Sequence, residues 1–350
     1  MQYLLRQNVM CKIFSGHIKS ARSFSCLTSK IKTNNEPNRG QTTLQSTRRF
    51  SWEQTVTGVF STLSNSTPVA YIQQSLIQIH DLSGLPWWGT IILSTVLFRT
   101  AVTLPLAIYQ HKIVARLENI ALEMPDIANE LKKEVGLAIR KFKWSEQHAK
   151  LMYKRSIKKQ WNNLIVRDNC HPVKTLIVLW GQIPLWICQS VAIRNLVYML
   201  PDPNQIEAKT AFLELTVGGF GWIPNLIEVD SSYILPVTLG LINLSIIQIQ
   251  SMLRKRPPTR LQKYATNVFR VFSVAMVPIA ASVPSCLCLY WLTSSACGLA
   301  QNMILVSPAI RRAMGIPKTK SEINEPYQHL IESFKKLSQN DEVSSKNAAK

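Results

Sequence analysis

Residues 87–109 read WWGTIILSTVLFRTAVTLPLAIY, with one charge, Arg99, in the whole stretch. A buried helix of a soluble protein rarely needs more than about 14 apolar residues, whereas about 20 cross a bilayer. The stretch therefore predicts a membrane span. Arg99 lies 12 residues from Trp87 and 10 from Tyr109, too deep to snorkel fully to either interface. At that depth an arginine costs roughly 2.5–3.5 kcal/mol on insertion scales, and such a charge points to function. Thr95, Arg99 and Thr103 recur every four residues, so they share one helix face.

Working outward, three more apolar stretches follow. Residues 173–200 carry Lys174 and Arg194 near their ends, and residues 233–253 carry no charge. Residues 269–306 carry only Arg270. The last stretch is too long for one helix, and Pro284 followed by Ser285 offers a break. The expectation is an all-α polytopic membrane protein with five transmembrane helices, at about 87–109, 173–200, 232–253, 267–284 and 286–306. The composition agrees: 46% of residues are hydrophobic and mean hydropathy is +0.04. Only 17% are charged, against about 25% in an average soluble domain. This much apolar residue excludes a disordered chain. Seven cysteines spread over 350 residues make no disulfide framework.

Loop charge sets the orientation. The segment 110–172 holds thirteen basic residues and seven acidic ones, and the segment 254–266 five basic and none acidic. The loop 201–231 reverses this, with Lys209 alone against Asp202, Glu207, Glu214, Glu228 and Asp230. Basic loops stay inside, so the two kinds of loop alternate as five spans require. Residues 1–50 carry nine basic residues and one acid, Glu36, with many Ser and Thr. That is the profile of a mitochondrial transit peptide, which makes the basic side the matrix. Residues 51–86 then form an intermembrane-space segment and residues 307–350 a matrix tail. The formal charge of +20 is mostly address and topology, with no direct DNA binding implied. The basic loop and tail leave room for a weak ribosome contact.

The basic segment 110–172 has internal order. Ile113, Leu117, Ile120, Met124, Ile127, Leu131 and Val135 are spaced 4, 3, 4, 3, 4 and 4, close to the seam by which one helix packs on another. Pro125 interrupts the pattern and predicts a kink. A second helix at about 145–167 carries Leu151, Ile157, Trp161 and Leu164 without a comparable seam. Together they predict a matrix-side helical hairpin with its tip at 136–144.

No nucleotide, metal or cofactor chemistry can be assembled. The sequence has no phosphate loop of the Gly-x-x-x-x-Gly-Lys-Ser/Thr kind. Gly218-Gly219-Phe220-Gly221 has no adjacent lysine and reads as an interfacial turn beside Trp222. Cys286 and Cys288 sit in an apolar span without a nearby histidine, so packing explains them better than zinc. No residue is assigned a catalytic or metal-binding role, and the chain does not read as an enzyme. The polar residues that could join Arg99 are Gln182 and Gln189 on one face of the second span, Asn243 in the third, and Ser282, Thr293, Ser294 and Ser295 near the last. They could form a wet cavity around Arg99, or only bond between helices at about 0.6–2 kcal/mol each.

These motifs, in this order, resemble the YidC/Oxa/Alb membrane-protein insertases. The first span with its arginine is followed by the basic hairpin, then by WGQIPLW around Gln182 and Pro184. Next come GGFGWIPNL, the opening YILP at Tyr233–Pro236, and LYWLTS at Leu289–Ser294. The resemblance covers about residues 85–307. It implies five spans around a hydrophilic groove, sealed on the far side and open to the matrix and to lipid. The family's groove arginine corresponds to Arg99, and Trp291 is implied to lie by the groove. Only 44 residues follow Val306. So short a tail looks like the branch devoted to cytochrome c oxidase assembly. Its implied client is the mitochondrially encoded subunit 2 with its exported C-terminal domain, alongside other assembly factors.

Three functions then compete. An insertase would use the groove to shorten the hydrocarbon path, with the general Oxa-type insertase as its broader variant. A small-solute carrier of the mitochondrial type needs a threefold repeat with Pro-x-Asp/Glu-x-x-Lys/Arg, and the sequence has neither. A passive scaffold leaves Arg99 without a purpose. Deleting residues 1–50 is expected to abolish import into isolated mitochondria, while a foreign presequence restores both import and activity. A chimera that is imported and inserted yet inactive would assign the segment a second role.

Overall fold

The computed structural model describes residues 58–336 apart from 59, 255–257 and 259, and its regular elements are helices. The expected transit peptide, residues 1–50, and the end of the tail, 337–350, lie outside the described residues. Helix α1 (Thr67–Ser83) occupies the segment between them and the first span. It starts with a proline in its first turn and is closed by Gly84, whose φ of 61° is the left-handed conformation that glycine adopts freely. Buried hydrogen bonds tie its start to the second span. Ser64 donates to Asn195 Oδ1 at 2.7 Å, and Asn195 Nδ2 donates to Gln73 Oε1 at 3.1 Å.

The first span does not end near Tyr109. Helix α2 (Trp87–Phe98), a wide π-helical turn (Arg99–Thr103) and α3 (Leu104–Phe142) form one unbroken rod of 56 residues. The seam that begins at Ile113 continues the phase of the span, so the polar residues after Tyr109 change what the helix faces without ending it. The helix continues through Pro125. The hairpin tip is correspondingly later and tighter than 136–144. It comprises residues 143–145, with Lys143 left-handed at φ 51°. Glycine inside a helix costs only about 1 kcal/mol, and the good helix formers after Gly136 outweigh that.

Helix α4 (Glu146–Arg167) returns along α3, capped by Ser145, whose hydroxyl accepts from the His148 N–H at 3.3 Å. The two helices pack most closely at the base. There Ile113, Leu117 and Ile120 pack with Leu164, Ile165 and Cys170, joined by Met124, Ile127 and Trp161. Between them lies an open cavity of about 610 Å³ lined by Met124, Pro125, Tyr153, Ile157 and Trp161 among others, and beyond it Leu131 and Ala149 are buried again.

A short 3₁₀ turn (Pro172–Leu176) leads into α5 (Ile177–Val197). The acidic loop after it contains an unforeseen helix, α6 (Ile206–Val217). The glycine-rich turn pairs Phe220 with Ile223. At Gly219 a β-carbon would collide with the backbone carbonyls of Ile223 and Pro224. Helix α7 (Ile234–Met252) is started by Asp230, which accepts the Leu235 N–H at 2.8 Å. Helix α8 (Arg260–Ala280) begins inside the expected basic loop rather than at 267, and α9 (Ser285–Val306) follows the Pro284 turn. A short helix α10 (Pro308–Ala313) and a final helix α11 (326–336) complete the described chain.

By length and apolar character, three helices among the described residues are able to cross a membrane: Trp87–Phe142, Pro172–Val197 and Ile234–Met252. Five were expected. Helices α8 and α9 have 21 and 22 residues but are less apolar. The first turns of α8 are basic and polar, and α9 carries Ser, Thr, Cys and Gln toward its neighbours.

The main apolar core is concentrated at one end of the bundle. It joins Trp87 and Ile91 at the start of α2, Val191–Val197 at the end of α5, Leu235 and Leu239 at the start of α7, and Cys286–Tyr290 at the start of α9. Leu215, Ile223 and Leu226 from the 201–231 segment cap it. The other halves of α5 and α7 are mostly half-exposed.

Candidate functional site

Arg99 lies just beyond this sealed end, where the helix widens. Pro105 is the local reason. It has no N–H to give the carbonyl four residues back, and its ring crowds that carbonyl. The turn relaxes to the wider π spacing, in which the Leu104 N–H donates to the Arg99 carbonyl. Such π-bulges are frequent at functional sites. The Arg99 carbonyl also accepts from Thr103 Oγ1 at 2.6 Å and from Gln301 Nε2 at 3.3 Å. The widened turn is thereby pinned to α9.

The guanidinium itself is buried, with Arg99 9% exposed. Its Nε donates to Ser294 Oγ at 3.1 Å, and Nη2 donates to the same oxygen. Nη1 lies over Gly298, where a β-carbon would sit 3.6 Å away. No ion pair among the described residues includes Arg99. The positive charge is therefore held in place by a neutral hydroxyl and is not cancelled.

The six groove candidates divide. Arg99 and Thr103 belong to the same hydrogen-bonded turn. Thr95 donates to the Ile91 carbonyl at 2.6 Å and accepts from Gln189 Nε2 at 3.3 Å, which joins α2 to α5. Trp291 donates from Nε1 to Ser190 at 3.1 Å and stacks on Trp186 with ring centres 5.7 Å apart. Gln182 and Asn243 are half-buried and make no side-chain hydrogen bond among the described residues, so they stand outside the Arg99 network. The structure adds Gln301 and Gly298. Their signal was legible as Ser294, Gly298 and Gln301 spaced 4 and 3 on one helix face. Among the described residues no group of three His, Cys, Asp or Glu is placed to hold a metal.

Residues 78–312 match the family described as 60Kd inner membrane protein. The chain belongs to this family. It is the YidC/Oxa family that the motifs resemble, and its members are polytopic membrane proteins. Among relatives, the mouse (Mus musculus) cytochrome c oxidase assembly protein COX18, mitochondrial, is 45% identical over 277 residues, 79% of this chain and 82% of that protein. The human (Homo sapiens) protein of the same description is 43% identical over the same length and shares. The mouse mitochondrial inner membrane protein OXA1L is 28% identical over 288 residues, 80% of this chain and 60% of that protein. Within the 60Kd inner membrane protein family, the chain is thus most like the cytochrome c oxidase assembly branch.

The network predicts a specific coupling. Ser294→Ala strands two guanidinium donors and should cost about 1–3 kcal/mol. Arg99→Ala, which removes a buried charge, should cost nothing or stabilise. Adding Arg99→Ala to Ser294→Ala should therefore recover most of the loss in thermal unfolding of the detergent-solubilised protein. Simple additivity would show that the two side chains do not depend on each other.

Proposed function

We propose that this protein is an insertase of the mitochondrial inner membrane that supports cytochrome c oxidase assembly. Its action would be to carry the C-terminal domain of subunit 2 and similar short hydrophilic segments across the membrane. Five spans, α2 with the first turns of α3, then α5, α7, α8 and α9, enclose a groove that opens toward the hairpin. The general Oxa-type reading is weaker, because identity falls from 45% to 28% between the two kinds of relative. Other assembly factors are expected partners beside the client and the bilayer.

One observation carries the mechanism: Arg99 is buried, fixed by neutral Ser294, and without an ion pair among the described residues. A polar groove reaching part-way into the bilayer shortens the hydrocarbon path for a client segment. Arg99 marks its deep end and pairs transiently with acidic client residues as they pass. The packed core at the other end keeps the groove from becoming a pore. In this reading the client segment moves without nucleotide hydrolysis.

The decisive variants are at Arg99. Arg99→Lys should keep much of the activity, Arg99→Ala should lose export of the client's hydrophilic domain, and Arg99→Glu should be worse because it repels acidic residues. Steady-state level must be measured beside export. An Arg99→Ala protein that accumulates normally and exports its client would remove the mechanism.

The five-span reading places the 201–231 segment and the Pro284 turn in the intermembrane space, with the hairpin and tail in the matrix. Protease added to mitoplasts should cut near residues 201–231 and spare the tail. Cleavage of the tail would invert the topology.

A further inference from the structure

The tail after the last span is not a loose end. Residues 315–322 are strapped across the base of the hairpin. Asn119 Nδ2 donates to the Lys318 carbonyl at 3.2 Å, and the Ser321 N–H donates to Glu118 Oε1 at 3.2 Å. Ile316 and Thr319 of the strap are themselves buried, and Arg312 pairs with Glu322 at 2.5 Å. The strap delivers α11 back to the end of α9, where the Tyr327 hydroxyl donates to the Met303 carbonyl at 3.1 Å.

Helix α11 has an apolar arc wider than the protein covers. Pro326 and Leu330 are buried against the body. Tyr327, Ile331 and Phe334, at i, i+4 and i+7, continue the arc and are 44%, 56% and 49% exposed. Gln328, Glu332, Lys335 and Lys336 take the remaining face. A helix with one flank on protein, one apolar edge open and lysines on its polar face has the form of an interfacial helix. Its position commits the occupant: Tyr327 bonds the Met303 carbonyl on the last span and the neighbouring Ile304 is 45% exposed, so α11 starts beside an exposed apolar residue of α9. The charge matches as well, because basic residues beside a bilayer are drawn to anionic lipid.

We propose that α11 is a membrane-surface anchor. It lies in the matrix-side interface with Tyr327, Ile331 and Phe334 at the headgroup–acyl boundary, and with Lys335 and Lys336 on anionic phospholipid headgroups. The anchor fixes the strap, and through it the hairpin base, at a set height above the membrane. It rests on the reading of α9 as a span.

The test is photocrosslinking of the full-length protein reconstituted in phosphatidylcholine vesicles with or without phosphatidylglycerol. Benzoylphenylalanine is placed singly at Ile331, Phe334, Glu332 and Ile304, and the adducts are identified by mass. Lipid adducts at 331 and 334, several-fold above 332, are expected, with yields that rise when phosphatidylglycerol is present and lose that rise in Lys335→Glu/Lys336→Glu. Lipid adducts at 304 without any at 331 and 334, or adducts there to a polypeptide instead, would overturn the anchor while leaving the span intact. Yields indifferent to phosphatidylglycerol would overturn the headgroup pairing. No lipid adduct at 304 would remove the span reading, and the anchor with it.

Discussion

A guanidinium in the middle of a membrane helix must be satisfied without being neutralised, and the bundle is arranged around that constraint. A carboxylate partner would have been the cheaper way to bury Arg99, since an unpaired buried charge is among the most costly features a protein can carry. The structure instead offers a serine hydroxyl and a glycine. Ser294 accepts from two guanidinium nitrogens, and Gly298 leaves room for the third. Both lie on one face of α9, so this face must press against the π turn. Gln301, a further turn along, bonds the Arg99 carbonyl and fixes the register of the two helices.

The packing on either side of Arg99 is unequal, and the inequality has a chemical cause. Toward the 201–231 segment, every element contributes apolar or backbone-capping residues. Asp230 caps α7, and the Glu228 carbonyl accepts both the N–H and the hydroxyl of Ser285 at the start of α9. These bonds satisfy helix ends that would otherwise be stranded in an apolar layer. Trp87 is closed in the same way, its ring stacked on His80 at 4.4 Å and its N–H given to Glu214 at 2.8 Å. Toward the hairpin, Thr103, Gln110 and Ser294 are buried beside Val178 and Leu305, so polar and apolar residues share the interior there.

Much of this was legible in the sequence, and what was not has definite reasons. The long uncharged runs and the isolated arginine announced themselves because charge is so costly in lipid. The end of the first span did not, because polar residues after Tyr109 mimic a loop while the apolar phase continues through Ile113 and Leu117. Helix α6 escaped notice because it buries only Ala208, Ala211 and Leu215, too small a stripe to stand out in an acidic loop. The partner of Arg99 could not be chosen among Thr293, Ser294 and Ser295, since three successive hydroxyls differ only in helical phase. Thr293 turns to its own backbone at Leu289, and only Ser294 meets the guanidinium. The strap on the hairpin was invisible for a simpler reason: its bonds join residues 199 and 203 positions apart.

Those bonds close a ring. From Arg99 the chain runs along α3 to Glu118 and Asn119, which hold the strap. The strap continues back through α10 to the end of α9, and α9 returns through Gln301 and Ser294 to Arg99. Every joint is a helix or a hydrogen bond, and a helix transmits displacement along its length with little give. The ring passes through the π turn, where the Leu104 N–H bonds the Arg99 carbonyl out of α register. The widened turn is held open by Pro105 and braced by Thr103 and Gln301, so the guanidinium and the base of the hairpin belong to one bonded circuit.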